Sequence, residues 1–401
     1  MLAGVRVVDL TTVVMGPWAT HVLAAYGADV VKVEPPEGDI MRYASAARHP
    51  GMGAIYLHGN RGKRSVVLDL KHAAGRDALL RLCSRADVFV HNVRRGAMER
   101  LGLGYSTLAA VAPELVYVTL SGFGRDGPYA DRPAYDDLIQ GASGLAQLFE
   151  RAGESRPRYV PALIGDRIGG MAAVSAILAA LYARERTGRG GNIDVPMFET
   201  LVELVLSDHL GGETFEPPHG PAGYARALAA NRRPYATADG YVCLLLYTEA
   251  HWERFFELVG RRSEYRADPR LCERAVRAAH FDEAYGAVAA VLATRPTAHW
   301  LAALAAADLP VMPLGDVATL AGDPHLAASG FIAIENHPSE GPIRTLGMPV
   351  RHDGFPSPAL RPAPRLGEHS REVLREAGYG DAEIDGLIAG GTTTQANGPS
   401  R

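Results

Sequence analysis

The first thirty-six residues constrain the fold more than any other part of the chain. Val5-Arg-Val-Val-Asp-Leu10 is a short β-rich run, and Trp18 to Tyr26 has helical spacing with Gly27 as its stop. Ala28-Asp-Val-Val-Lys-Val-Glu34 is a second apolar run, ended by Pro35-Pro36. Two strands joined by a helix of this length must lie parallel, and a parallel sheet needs cover on both faces. The alternation continues with a strand at Ser65 to Leu70, a helix at Ala73 to Ser84, and strands at Ala86 to Asn92, Leu115 to Ser121 and Gly190 to Val195. It predicts an α/β fold with a Rossmann-like, open, doubly wound parallel sheet that binds ligands at the carboxyl ends of its strands. Those ends deliver the segments Asp39 to Arg42, Asn92 to Arg100 and Gly122-Phe-Gly124. Glu34 imitates the ribose-binding acid of dinucleotide folds, but the first turn offers Val13-Val-Met-Gly16-Pro17 in place of G-x-G-x-x-G, which argues against a nicotinamide cofactor.

A chain of 401 residues exceeds one ordinary core. We divide it into a large sheet domain over residues 1–210, a Gly-, Pro- and Arg-rich linker over 211–234, a smaller α+β domain over 235–330, a C-terminal segment over 331–385 returning to the large domain, and a disordered tail over 386–401. Gly341 to Val350 resembles a hairpin segment. The formal net charge of -4, with both signs mixed throughout, excludes a broad nucleic-acid surface and leaves phosphate recognition to local groups. Cys83, Cys243 and Cys272 lie far apart, with neither a CxxC pair nor a zinc-like His spacing, so they read as buried thiols and no metal site is expected. The N-terminus reads as a strand, and the weakly polar run Ile168 to Ala183 falls short of the about 18 residues of a membrane span. The expected location is cytoplasmic, with no membrane partner.

Chemistry concentrates at Val160-Pro-Ala-Leu-Ile-Gly-Asp166-Arg-Ile-Gly-Gly-Met, where an extended run turns into a long Ala-rich helix. Asp is a preferred N-cap, and the helix dipole favours negative charge at that end. Gly165 and Gly169-Gly170 strip side chains from the surroundings, so a bulky ligand could approach Asp166. The structural alternative is a capping Asp beside a Gly/Ala packing seam. Arg42 and Lys71, at strand ends, are candidate phosphate ligands because Arg forks suit phosphate, the alternative being solvated surface charge. The adjacent carboxylates Asp136 and Asp137 point apart and read as structural.

Several separated motifs, in order, resemble the class III CoA-transferases. They are the opening Val-Val-Asp-Leu, the Ala-Asp-Val-Val-Lys-Val-Glu-Pro-Pro-x-Gly-Asp-x-x-Arg stretch, Leu-Asp-Leu-Lys, Met98-Glu-Arg-Leu-Gly-Leu-Gly-Tyr105, Gly122-Phe-Gly-x-x-Gly-Pro-Tyr129, Arg186-Thr-Gly-x-Gly190 and Pro364-Arg-Leu-Gly-Glu-His369. The resemblance runs to about Gly380. It implies an interlocked homodimer of a large Rossmann-like domain and a small domain, with the active site between the domains. It also implies an acyl-CoA:carboxylate CoA-transferase activity in which Asp166 is the catalytic nucleophile. No cofactor is permanently bound. A coenzyme A thioester and a carboxylic acid are the substrates, and transfer within one dicarboxylic acid is a neighbouring option.

By the same resemblance, Asn92 and Arg100 match positions that contact CoA, and Met15 and Gly16 line the adenine or pantetheine path by position. Tyr135 occupies the slot where the family's α-methylacyl-CoA racemases carry His. A phenol with a pKa of about 10 is a poor base for an acyl α-carbon, which ranks racemisation below transfer. The family's formyl-CoA transferases carry a run of glycines before the small domain. Here that region reads Gly211-Gly212 and then Pro217-Pro-His-Gly-Pro-Ala-Gly-Tyr224-Ala-Arg226, so His219, Tyr224, Arg226 and Arg233 are candidates to shape a pocket for a small or branched dicarboxylate.

Overall fold

The structure, a computed structural model, describes residues 1–356 and 358–396. It divides into two compact units. The first takes residues 1–143, 160–203 and 324 onward, and the second takes 144–159 and 204–323.

The first unit is built on six parallel strands: β1 (Arg6–Leu10), β2 (Asp29–Glu34), β3 (Lys63–Val67), β4 (Val88–His91), β5 (Val116–Ser121) and β6 (Gly191–Pro196). Their order is β3-β2-β1-β4-β5-β6. The chain therefore proceeds outward from β1 through β2 and β3, then restarts beside β1 with β4. The loops after β1 and β4 diverge at this reversal and leave a crevice between them. Each strand lies where the hydrophobic runs place it, although β3 ends at Val67 instead of Leu70. Beyond that point Asp69 donates its N–H to Thr392 O at 2.9 Å.

One face of the sheet is apolar in the ordinary way. Val8, Leu10, Val31, Val33, Val66 and Phe89 pack against Ala78, Leu79, Leu82 and Cys83 of the helix Ala73–Cys83. Side chains of that kind stabilise by about 1.5–3 kcal/mol each when fully buried. On the other face, at alternate positions, Asp9, Lys32, Glu34 and Lys63 are fully buried charges. They form ion pairs: Lys63 Nζ to Asp9 Oδ2 at 3.0 Å, Lys32 Nζ to Asp39 Oδ2 at 2.9 Å, and Arg42 Nη2 to Glu34 Oε1 at 2.7 Å. Burial would raise the Asp9 carboxyl, yet Lys63 and Lys32 bring it down to about 2. Burial lowers the Lys63 ammonium to about 8 against the pull of Asp9.

The helix Ile164–Thr187 spans 24 residues, longer than the run read from sequence. By length and composition it could cross a membrane, but one face packs against the helix Met15–Ala25, β5 and β6. An antiparallel hairpin, β10 (Ile332–His337) with β11 (Gly341–Leu346), completes this unit. Its first strand lies upstream of the segment anticipated.

In the second unit, β7 (Tyr235–Ala236), β8 (Tyr241–Leu244) and β9 (Val311–Pro313) form an antiparallel sheet. Its core is aromatic, with Trp252 stacked on Phe256 and Tyr285, and Phe256 on Tyr265.

Three boundaries differ from the sequence reading. Residues 144–159 belong to the second unit, the helix Met197–His209 carries the chain across at 203/204, and the return to the first unit begins at Pro324. Residues 211–234 are more than a linker: they contain the turns Gly211–Thr214 and Ala225–Leu228, and Gly223 N bonds His209 O at 2.8 Å. The expected disorder from residue 386 does not begin there. The helix Asp381–Ala389 is followed by buried Thr392 and Thr393, and Thr393 Oγ1 donates to Val67 O at 2.6 Å. Residues 397–401 of that tail lie outside the described residues.

Candidate active site

A cleft of about 260 Å³ opens at the carboxyl ends of β1, β4 and β5. Thr12, Val13 and Met15 form one wall, Asn92 to Arg95 a second, and Ser121, Gly122 and Ala130 to Asp136 a third, with Asp166 and Met197 among the lining residues.

Asp166 sits in the first turn of the helix Ile164–Thr187 and is buried. It is not the N-cap. Leu163 holds that position, and no side chain caps the helix. Instead the Asp166 backbone N–H is donated to Asp136 Oδ1 at 2.9 Å. Asp136 is buried too, and its other oxygen accepts Gln140 Nε2 at 2.6 Å, while Gln140 Oε1 accepts Val160 N at 2.8 Å. Two buried carboxylates thus stand in one small volume. Burial first, and then the charge of Asp136, push the Asp166 carboxyl up to about 6, with Arg167 and the Met15 backbone N–H opposing. The helix end, which by itself favours negative charge, does not set the balance here. The nearby charges and desolvation outweigh the helix end. Arg167, whose guanidinium lies over the Trp18 ring at 4.3 Å, is the larger of the two opposing influences.

The glycines around Asp166 serve packing. A Cβ on Gly169 would lie 2.7 Å from Met15 Cε, and one on Gly170 would lie 2.9 Å from Met15 O. The space they vacate is filled by the helix Met15–Ala25, so it is closed to a ligand. Gly16 is likewise packed, because a Cβ there would be 2.3 Å from Thr11 Cβ.

Of the residues selected from sequence, Met15, Asn92, Tyr135 and Asp166 share the cleft. Asn92 spans the crevice, accepting Thr12 N at 3.0 Å and donating to Thr12 O at 2.8 Å. Tyr135 caps the helix Asp136–Ala142 and is 66% exposed. Three others do not join them. Arg42 is buried, binds Glu34 through two nitrogens at 2.8 and 2.7 Å and reaches Tyr56 Oη at 2.5 Å, so it is a structural cation and not a phosphate ligand. Glu34, read as a ribose-like acid, is consumed in the same pair. Lys71 follows the sheet-edge strand β3 and lies outside the cleft, and Arg100, at the end of the helix Arg95–Arg100, is exposed and also outside it.

Arg94, Arg95 and Arg132 line the cleft and were not singled out. Arg95 Nη2 pairs with Asp194 Oδ2 at 2.5 Å, and Arg132 lies over the Tyr129 ring at 4.0 Å. Arg94 is exposed, and its guanidinium has no hydrogen-bond or ion-pair partner among the described residues. The signal was present: two cations, Arg94 and Arg95, follow Asn92 after a single residue at a strand end that faces the switch point. In the second unit, Arg226 Nε donates to Tyr285 Oη at 2.9 Å and Arg233 Nε to Ala230 O at 2.6 Å.

A sequence profile described as CoA-transferase family III matches residues 2–370. The acetyl-CoA:oxalate CoA-transferase of Acetobacter aceti is 35% identical over 93% of this chain and 95% of its own length. The succinate–glutarate CoA-transferase of Agrobacterium fabrum is 32% identical over 94% of this chain and 95% of its own. Among solved structures, a CAIB/BAIF family protein from Brucella suis superposes with a TM-score of 0.79 at 29% identity, covering 94% of this chain and 99% of that one. On matches that run nearly its whole length, the chain belongs to CoA-transferase family III.

Proposed function

We propose that this CoA-transferase moves coenzyme A from an acyl-CoA to a small carboxylic acid through covalent chemistry at Asp166. The observation that carries the reading is a buried carboxyl, raised to about 6, facing a polar cleft at the switch point of the sheet. Such a group is about ten to one ionised at pH 7, yet is poorly solvated and more basic than a surface carboxylate. One Asp166 oxygen attacks the thioester carbon, the C–S bond breaks, and CoA leaves as its thiolate, giving a mixed anhydride. The thiolate then attacks the Asp166 carbonyl and releases the donor acid as its carboxylate, leaving an aspartyl-CoA thioester. The acceptor carboxylate repeats the two steps in reverse order, which restores Asp166 and forms the new thioester. Met15 borders the cleft beside Asp166, and its backbone N–H is suited to donate to oxygen that gains charge along the way. The free fork of Arg94 suits a CoA phosphate. The names of the two relatives point to a small dicarboxylate such as oxalate, succinate or glutarate as acceptor.

We extend the proposal to an interlocked homodimer. It is supported by apolar side chains left in water by the single chain, among them Met171 and Tyr182 on the central helix and Ile334 on the hairpin, 50%, 66% and 73% exposed. Molar mass by light scattering tests this point.

Peptide mass spectrometry after incubation with formyl-, acetyl-, succinyl- and mesaconyl-CoA tests the chemistry. An acyl or CoA adduct on the Asp166 peptide, absent in Asp166→Ala, is the expected result. CoA binding without any adduct, together with solvent deuterium entering the acyl α-carbon, would replace transfer with racemisation.

A further inference from the structure

The loop between β1 and the helix Met15–Ala25 is held in a way its sequence does not announce. Val13 has φ 71°, in the left-handed region that a β-branched residue adopts only under constraint. A turn of this kind leaves its backbone polar groups without backbone partners, and side chains from the sheet and from the segments that follow β2 and β4 supply them. Asp9 Oδ1 accepts Thr11 N at 3.0 Å, and Lys32 Nζ donates to Thr11 O at 2.7 Å. Asn92 brackets both groups of Thr12, and Asp39 Oδ1 accepts Val13 N at 3.2 Å. Asp39 is itself fixed by Lys32 Nζ at 2.9 Å and, through its own N–H, by Glu34 Oε2 at 3.1 Å. The buried charge lattice therefore ends on the peptide that precedes Val14 and Met15, and Met15 borders the cleft beside Asp166.

We propose that Asp39, braced by Lys32, is a positioning residue for the reaction at Asp166: it holds Val13 in its left-handed conformation and so fixes the Met15 N–H against the reacting carboxylate. Neither Asp39 nor Lys32 lines the cleft, so the action passes through the backbone of residues 11–15. The lattice is a costly way to stabilise a fold, since buried ion pairs are often no better than apolar packing. Its use here is to fix one backbone geometry that the local sequence disfavours.

The inference rests on Asp166 being the nucleophile, and the test separates the two. The rate of adduct formation on the Asp166 peptide is followed by rapid-quench mass spectrometry, using acetyl-CoA or succinyl-CoA, whichever labels the unaltered enzyme. Asp39→Ala removes the acceptor for Val13, while Lys32 keeps Asp9 and Glu34 nearby. Labelling is expected to slow by about 10–100-fold, the loss that a small misplacement brings, with the half-saturating acyl-CoA concentration changed by less than about threefold. Adding Val13→Gly to that variant is expected to restore at least about fivefold, because glycine takes the left-handed conformation unaided. A purely structural role for Asp39 gives no such rescue. If Asp39→Ala does not fold, Asp39→Asn, which keeps the size and an acceptor, takes its place with a smaller loss and the same rescue. A folded variant that labels at the unaltered rate, or a loss that Val13→Gly leaves untouched, overturns the proposal. Absence of any label on Asp166 in the unaltered enzyme removes the underlying reading and this proposal with it.

Discussion

The backbone N–H of Asp166 is donated to the carboxylate of Asp136 at 2.9 Å, which sets two buried acids side by side in the cleft. The contact has two effects of opposite use. It fixes the first turn of the helix that carries Asp166, and its charge disfavours ionisation of Asp166. Asp136→Asn can keep the first effect through its amide oxygen while removing the second. The Asp166 carboxyl then moves down from about 6 toward 3.8. The acid limb of kcat/KM, expected near pH 6 in the unaltered enzyme, should shift to lower pH in the variant. An unmoved limb would mean that another group governs it.

Stability should respond to the same group. The folded-state pKa of about 6 lies above the unfolded value of 3.8, so the folded state binds the proton more tightly. Folding stability then falls as pH rises from about 4 to about 6, by on the order of 3 kcal/mol at most for this group. Asp166→Asn, which carries no charge to desolvate, is expected to be more stable than the unaltered enzyme at pH 7.5 and to lose that advantage below pH 4. Urea denaturation at both pH values checks the sign.

Among the arginines, the geometry distinguishes Arg94 from Arg100 and from Lys71. Arg94 lines the cleft with its fork unpaired among the described residues, whereas the other two lie outside it. A charge-assisted hydrogen bond is worth about 1.5–3 kcal/mol, so Arg94→Ala should raise the KM for acyl-CoA by about 10–100-fold. Arg100→Ala and Lys71→Ala should leave it within about twofold, because exposed charges contribute little. The reverse ranking in steady-state kinetics would move the CoA phosphates away from β4.

How much of this was readable in the sequence depends on the kind of interaction. The inner strands were legible because each carries a cluster of Val, Leu or Phe, β6 (Gly191–Pro196) being more polar, and Asp166 stood out because it interrupts an apolar run at a helix start. Arg42 was misread because a charge at a strand end looks solvated. Its partner Glu34 is eight residues away in sequence, and Tyr56 a further fourteen beyond Arg42, so the pair exists only once β2 and its loop have folded. The lattice of Asp9, Lys32 and Lys63 is hidden for the same reason, since each looks like an outward residue of an alternating strand. The raised carboxyl of Asp166 could not be read at all. It depends on Asp136, thirty residues earlier, turning inward at a helix start. The strain at Val13 leaves no mark in a sequence that has valine where glycine would signal the turn.

The paired glycines of the central helix give a contrast that sequence alone would miss. Replacing an interior helix Gly by Ala normally gains about 1 kcal/mol. At Gly169 the new Cβ meets Met15 Cε at 2.7 Å, the far end of a flexible side chain that can rotate away. At Gly170 it meets Met15 O at 2.9 Å and Trp18 Cδ1 at 3.0 Å, and the first of these is backbone. Gly169→Ala should therefore be near neutral in thermal stability, the propensity gain offsetting a small repacking cost. Gly170→Ala should be destabilising by about 1–3 kcal/mol, as overpacking is, because the helix Met15–Ala25 must move as a body to accept it. That movement would also displace the Met15 N–H from Asp166. Gly170→Ala should then lose labelling at Asp166 even at temperatures where it remains folded, whereas Gly169→Ala should keep it. Melting curves and adduct formation measured on both variants distinguish this from a seam in which the two positions are equivalent.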